Sequence, residues 1–324
     1  MKSICGDTSP VTRRAVLVQA VSGMAVLAAP GGLAQASPAS PAAASGTIRI
    51  GGDLSVNRLG FGAMRITGQR IWGEPPDAAE ARRVLRRALE LGVNFIDTAD
   101  AYGPEVSERL IAEALHPYPP GLVIATKGGL TRPSAAEWVA DGRPLHLREA
   151  CEASLRRLKL ERIDLYQLHR IDPGVPLEDS IGELTRLQTA GKIRHIGVSN
   201  FKPEDLQRAR RIAPIVSVQN RYNVADRSSA EVLETCARDG LAFIPWAPIA
   251  RGSSEALEKG GGSAALEALA RAHGVSVFQI AIAWLLAKSP AMLPIPGTSS
   301  VAHLEQDVAA AGIRLSAAEL AGVG

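Results

Sequence analysis

Short β-branched and aromatic runs alternate with helical stretches along nearly all of this 324-residue chain. The apolar periodicity predicts strands at 59–62, 93–97, 122–126, 163–168, 193–198, 216–219, 242–245 and 292–295. Helical patterns fill the gaps at 78–91 (Asp77 as N-cap), 105–115, 147–158, 177–190, from Pro203 onward, 228–238 and twice within 257–288. A further helix, 301–311, follows the last strand. Eight strand-then-helix units predict an α/β fold, the (β/α)8 TIM barrel. A doubly wound sheet is the competing architecture; it is disfavoured because no GxGxxG follows the first strand. Ahead of the first unit, 47–59 alternates apolar and polar residues around Gly51-Gly52-Asp53, which predicts an N-terminal β-hairpin.

A barrel of this kind carries its chemistry at the C-terminal ends of its strands. Three successive ends hold titratable groups. Asp97 closes Phe95-Ile96-Asp97, and Tyr102 follows in a turn containing Gly103 and Pro104. Lys127 ends the run from Val123, and His169 ends the run from Ile163. A free phenol has a pKa of about 10 and is a poor acid at neutral pH. A nearby ammonium should favour the phenolate, and a carboxylate beside that ammonium should hold it in place.

These residues sit in stretches that resemble the aldo-keto reductases. The matching segments are FIDTADAYG at 95–103, IATKGG at 124–129, LYQLHRIDP at 165–173, GKIRHIGVSNF at 191–201, VSVQNRYN at 216–223, IPWAPIARG at 244–252 and IPGTSSVAHLEQD at 295–307. They occur in the family's order and span 51–313. The resemblance implies a hairpin that plugs the barrel floor, and hydride transfer from a nicotinamide to a carbonyl carbon. It implies Tyr102 as general acid, Lys127 lowering its pKa, Asp97 pairing with Lys127, and His169 orienting the carbonyl oxygen. It places Ser199, Asn200 and Gln219 on the nicotinamide carboxamide and Trp246 against the ring face. Ala247, Pro248, Ile249, Arg251 and Gly252 would follow the pyrophosphate, with Arg251 either neutralising a phosphate oxygen or simply solvated.

Gly297, Thr298 and Ser299 precede the last helix, and the resemblance makes them the pocket for the adenosine 2′-phosphate, with His303, Gln306 and Asp307 beside it. Many members of the family carry a basic residue at the position of Gly297, an arginine at that of His303 and a Glu-Asn pair at Gln306-Asp307. NADP(H) is therefore the expected cofactor, with NAD(H) as the alternative. Trp72, Trp138 and Ile249 are expected around an apolar substrate mouth. The segments 60–76, 242–252 and 293–311 resemble a bacterial branch that includes pyridoxal reductases, which points to a small aromatic aldehyde as the small-molecule carbonyl substrate.

A balance of 36 Lys+Arg against 33 Asp+Glu gives no footprint for nucleic acid. Cys151 and Cys236 read as core thiols, and no metal-ligand spacing occurs. Residues 1–36 read as a leader: Lys2, Arg13 and Arg14, an apolar run too short to span a bilayer, then Ala34-Gln35-Ala36. Thr12-Arg13-Arg14-Ala15-Val16-Leu17 resembles a twin-arginine signal, which implies the export machinery as a partner and a periplasmic or exported enzyme, the alternative being cytoplasmic. Residues 37–46 read as a flexible linker and 47–324 as the barrel, with no membrane span. Two other functions compete: an NADP-binding regulatory protein of the same fold with little turnover, and a Schiff-base lyase using Lys127. The second is disfavoured because Asp97 should keep the amine protonated.

Overall fold

The computed structural model describes residues 40–249 and 263–323. A hairpin of β1 (Thr47–Ile50) and β2 (Leu54–Asn57) precedes the barrel strands, turning through Gly51 and Gly52 at φ 62° and 84°. Ile50, Leu54 and Val56 bury their side chains against Phe95, Val123, Leu165 and Ala242, which lie at or near strand starts. The hairpin thus covers the N-terminal end of the barrel, as expected. Asp53 in its turn accepts hydrogen bonds from Arg194 and His195, each at 2.6 Å.

Seven parallel strands follow: β3 (Phe61–Gly62), β4 (Phe95–Asp97), β5 (Val123–Gly128), β8 (Ile163–Leu168), β9 (Ile193–Ser199), β10 (Ile215–Arg221) and β11 (Ala242–Trp246), each bonded to the next in that order. The eighth strand, expected at 292–295, is not a regular ladder strand. An extended segment takes its place between β11 and β3. Phe243 exchanges bonds with Ala291 and Leu293 at 2.8 and 2.9 Å, while Gly60 and Gly62 donate to Pro294 and Pro296 at 3.0 Å. Pro290, Pro294 and Pro296 have no N–H to give, so the ladder is thinned but the barrel is closed. A Cβ on Gly62 would strike the Ile295 carbonyl, and one on Gly297 the Gly62 carbonyl; only glycine permits this seam.

Helices lie outside the strands: α1 (Ala78–Glu90), α2 (Val106–Leu115), α3 (Pro144–Leu158), α4 (Leu177–Thr189), α5 (Pro203–Arg210), α6 (Ala230–Asp239), α7 (Ser263–His273), α8 (Val277–Lys288) and α9 (Val301–Ala309). In α1, Ala81, Val84, Leu85 and Ala88 form the buried stripe, and Asp77 Oδ1 accepts from the Glu80 N–H at 2.8 Å as the predicted N-cap. α3 begins three residues before the expected 147 because Pro144 fills the first helical turn. α8 is apolar on every side and packs in the core, behind a Ser276–Gln279 capping box. No single helix among the described residues is long and apolar enough to cross a membrane.

One expectation needs correction. The linker expected over 37–46 is packed in its described part: Pro41–Ser45 forms a 3-10 turn, Ala42 is fully buried, and its N–H donates to Leu91 at 3.0 Å. Between β5 and α3 the chain also forms a small hairpin, β6 (Leu130–Thr131) with β7 (Val139–Ala140). A short helix, α10 (Ala317–Gly322), also ends the chain behind the capping box of Ser316 and Glu319. Cys151 and Cys236 are buried free thiols, and burial pushes each up to about 12, as befits inert core residues.

Candidate active site

A cavity of about 1110 Å³ opens at the C-terminal ends of the strands. That exceeds the roughly 300–1,000 Å³ of a pocket for one drug-sized ligand, so a long ligand and a small one can share it. Asp97, Tyr102 and His169 line one end, while Gly297, Thr298, Ser299, His303, Gln306 and Asp307 line another part. Lys127 lies beneath the wall, fully buried.

The Lys127 ammonium has three donors and uses all of them. They go to Asp97 Oδ1 at 2.6 Å, the Thr98 carbonyl at 2.8 Å and the Tyr102 hydroxyl at 3.4 Å. Burial opposes the charge on Lys127, but Asp97 and Tyr102 outweigh it and hold the ammonium above its usual pKa. Asp97 Oδ2 accepts from Gln167 Nε2 at 3.1 Å and Gln219 Nε2 at 2.8 Å, so both oxygens of this buried carboxylate are satisfied. Because Tyr102 accepts from Lys127, its own proton remains available to donate. The expectation that Lys127 lowers this phenol holds only in sign: burial is the larger effect, and the net displacement is upward.

His169 meets Tyr102 and Trp138 edge to face, at ring separations of 5.8 and 6.4 Å. Burial, with Lys127 and Arg170 nearby, pushes its pKa well below the ordinary value. It is a neutral imidazole at neutral pH, with one N–H to donate, and its Nδ1 has no partner among the described residues.

Ser199 ends β9 and Asn200 follows it at φ 61°, a conformation asparagine tolerates. The Asn200 amide is committed to the chain. It donates to the His169 carbonyl and to Ser199 Oγ, both at 3.1 Å, and accepts from Trp246 Nε1 at 3.0 Å. Asn200 therefore fixes the plane of Trp246 and the backbone of His169, while Ser199 keeps its hydroxyl proton for a ligand. Ala247 stands at φ 51°, held by Asn223 Nδ2 on its carbonyl at 3.0 Å. Trp246, Pro248 and Ile249 also line the cavity. Arg251 and Gly252 lie outside the described residues.

At the α9 end, several N–H groups expected to face a phosphate are already taken. Val301 donates to Glu80 Oε1 at 3.1 Å and Ser300 to Thr298 Oγ1 at 3.1 Å, while His303 donates to Ser300 Oγ at 3.5 Å. The Val301 N–H and Arg83 hold the Glu80 carboxylate below its usual range. Asp307 is buried with no cation against it among the described residues, and burial pushes its pKa up to about 7.

Of the two tryptophans expected at the substrate mouth, Trp138 lines the cavity and Trp72 does not. Trp72 pairs with Gly103 in a β-bridge and stands behind Arg132, whose guanidinium lies 5.4 Å from its ring. The sequence reading also missed Gln167, Arg70, Arg132 and Arg170. Gln167 had a signal: it is a polar residue two positions before His169, on the strand face that also carries Ile163 and Leu165.

The profile of the aldo/keto reductase family matches residues 58–323. The chain is similar to an uncharacterized oxidoreductase of Schizosaccharomyces pombe, with 51% identity over 281 residues, 87% of this chain and 90% of that one. It is similar to the pyridoxine 4-dehydrogenase of Escherichia coli at 43% identity over 271 residues, 82% of this chain and 93% of the relative. An aldo-keto reductase from Klebsiella pneumoniae, solved in complex with NADP and acetate, matches with a TM-score of 0.66 and 26% identity, over 86% of this chain and 93% of that one.

Proposed function

This chain belongs to the aldo/keto reductase family, and from that premise we propose that it reduces aldehydes or ketones with Tyr102 as the proton donor. The observation that carries the reading is the saturated Lys127 ammonium, which donates to the Tyr102 hydroxyl and so leaves the phenolic proton free to be given away. When bound, a reduced nicotinamide supplies hydride to the carbonyl carbon. Charge then develops on the oxygen, and Tyr102 donates its proton there. Lys127 stabilises the phenolate left behind, and Asp97 keeps Lys127 charged. His169, neutral, donates one hydrogen bond to the same oxygen without competing as the acid. Trp246, fixed by Asn200, offers a flat apolar face to the nicotinamide ring, and Ser199 and Gln219 lie where its carboxamide can be held.

The pyridoxine 4-dehydrogenase relative supports a small aromatic aldehyde such as pyridoxal. The Klebsiella relative supports NADP(H) as the preferred cofactor. Glu80 and Asp307 oppose a 2′-phosphate, so the preference over NAD(H) should be small and pH-dependent. Asp307 is neutral below about 7 and ionised above it. NADPH affinity should therefore fall as pH rises from 6 to 8, NADH affinity should change less, and Asp307→Asn should flatten the NADPH trend. A panel of aldehydes assayed with NADPH and NADH across that range tests both points. Tight NADPH binding without turnover of any carbonyl would favour the regulatory protein instead.

The leader reading of residues 1–36 adds the proposal that the enzyme is exported folded. Fractionation with N-terminal sequencing should find a mature chain beginning near Ser37 outside the cytoplasm. An intact Met1 in the cytosol would overturn export and leave the chemistry untouched.

A further inference from the structure

The substrate end of the cavity is lined by arginines. Arg70 and Arg170 both line it, and among the described residues neither has a carboxylate partner. Their neighbours fix their place. Arg170 follows His169 directly. Arg70 lies two residues before Trp72, whose β-bridge to Gly103 sets this loop beside Tyr102. Both therefore belong to the proton-donating end. The carboxylates lining the cavity among the described residues are Asp97, already paired with Lys127, and Asp307, in the α9 part of the wall.

A third arginine organises this end from behind. Arg132 is buried, and its five N–H donors all go to backbone carbonyls: Glu137 at 2.9 Å, Ile71 and Ala135 at 3.1 Å, and Ala101 and Arg70 at 3.3 Å. Its guanidinium stacks 3.7 Å from the centre of the Trp138 ring. Two of those carbonyls belong to Arg70 and Ile71, which stand at φ 57° and 59°. A β-branched residue rarely adopts that conformation. It persists because Arg132 and the Gly103 N–H grip the Ile71 carbonyl. Arg132 thus holds the bend that carries Arg70 onto the cavity wall, and its charge, answered only by carbonyl dipoles, adds to the positive potential there.

We propose that this end of the site selects carbonyl substrates that bear a second, anionic group, held by Arg70 and Arg170, with Arg132 as the positioning residue. The proposal rests on the reductase reading for the reacting carbonyl, but it concerns recognition of the anion. Planar guanidinium groups suit a carboxylate or a phosphate equally.

The test compares matched aldehydes: terephthalaldehydic acid against its methyl ester, and succinic semialdehyde against its methyl ester. We expect kcat/KM to favour each acid over its ester by about tenfold at low ionic strength, with the ratio shrinking as salt rises. Arg70→Gln and Arg170→Gln should each bring the ratio toward one, and Arg70→Glu should invert it. Arg132→Lys should lower the ratio mainly through KM for the acid, because an ammonium cannot serve five carbonyls or stack in the same way. Binding of terephthalate and its dimethyl ester, followed by tryptophan fluorescence, is measured alongside. Esters as good as acids in both turnover and binding would overturn the proposal. So would arginine variants that weaken cofactor binding and leave the ratio unchanged. No turnover of any aldehyde, with terephthalate still bound in preference to its ester, would sink the reductase reading and support the anion site.

Discussion

Tyr102→Phe is expected to lower kcat for carbonyl reduction by about 10²–10⁴-fold while leaving cofactor affinity unchanged. Only the hydroxyl is removed. The ring stays packed edge to face between His169 at 5.8 Å and Trp138 at 6.4 Å, so the cavity keeps its shape. Lys127 loses the longest of its three acceptors and retains Asp97 and the Thr98 carbonyl. Without the phenol, the developing alkoxide has one neutral donor, His169, which cannot hand over a proton and remain neutral. The pH profile of the unaltered enzyme provides a second check. Burial places the Tyr102 pKa above its ordinary value and that of His169 well below its own. The reductive rate should therefore show no break between pH 6 and 8 from either group, and should fall only once the phenol ionises above pH 10. Steady-state assays with direct cofactor titration settle the first point. Full activity in the phenylalanine variant would remove Tyr102 from the chemistry.

The sequence made the grouping of Asp97, Tyr102, Lys127 and His169 legible because an apolar run that stops in a titratable residue marks an element boundary, with Tyr102 in the turn after the first of them. It exposed the hairpin through Gly51 and Gly52. It was less informative where backbone chemistry overrode side-chain pattern. The segment after Pro290 is as apolar as a strand, yet three prolines remove its donors, and it closes the barrel through the neighbouring strands' hydrogen bonds instead. Ser316 and Glu319 have the spacing of a capping box, the local signal that announces α10. The arginines of the mouth were invisible for a different reason. Arg70 and Arg132 sit in loops with no periodicity, and their roles arise from a left-handed bend and a ring stack that only three-dimensional placement creates. Asn200 and Gln219 illustrate the same limit. Their positions were legible, but their amides spend themselves on Trp246, His169 and Asp97, which composition does not foretell.

Lys127→Met should be the most destabilising single change in the site. It removes the cation from a pair in which both side chains are essentially fully buried, and breaking such a pair costs about 3–5 kcal/mol because the remaining charge stays in low dielectric. Gln167 and Gln219 still donate to Asp97 Oδ2, which should keep the loss near the lower end of that range. The loss should appear as a lower urea midpoint than that of the unaltered chain at neutral pH. Combining Lys127→Met with Asp97→Asn should recover part of the loss, since an amide leaves no charge behind and can still accept from one glutamine. An unchanged urea midpoint, or a double variant as unstable as the sum of its parts, would mean that these two residues do not act as a charge pair. Lys127 would then matter to the fold for its packing alone, and the electrostatic account of Tyr102 would lose its foundation.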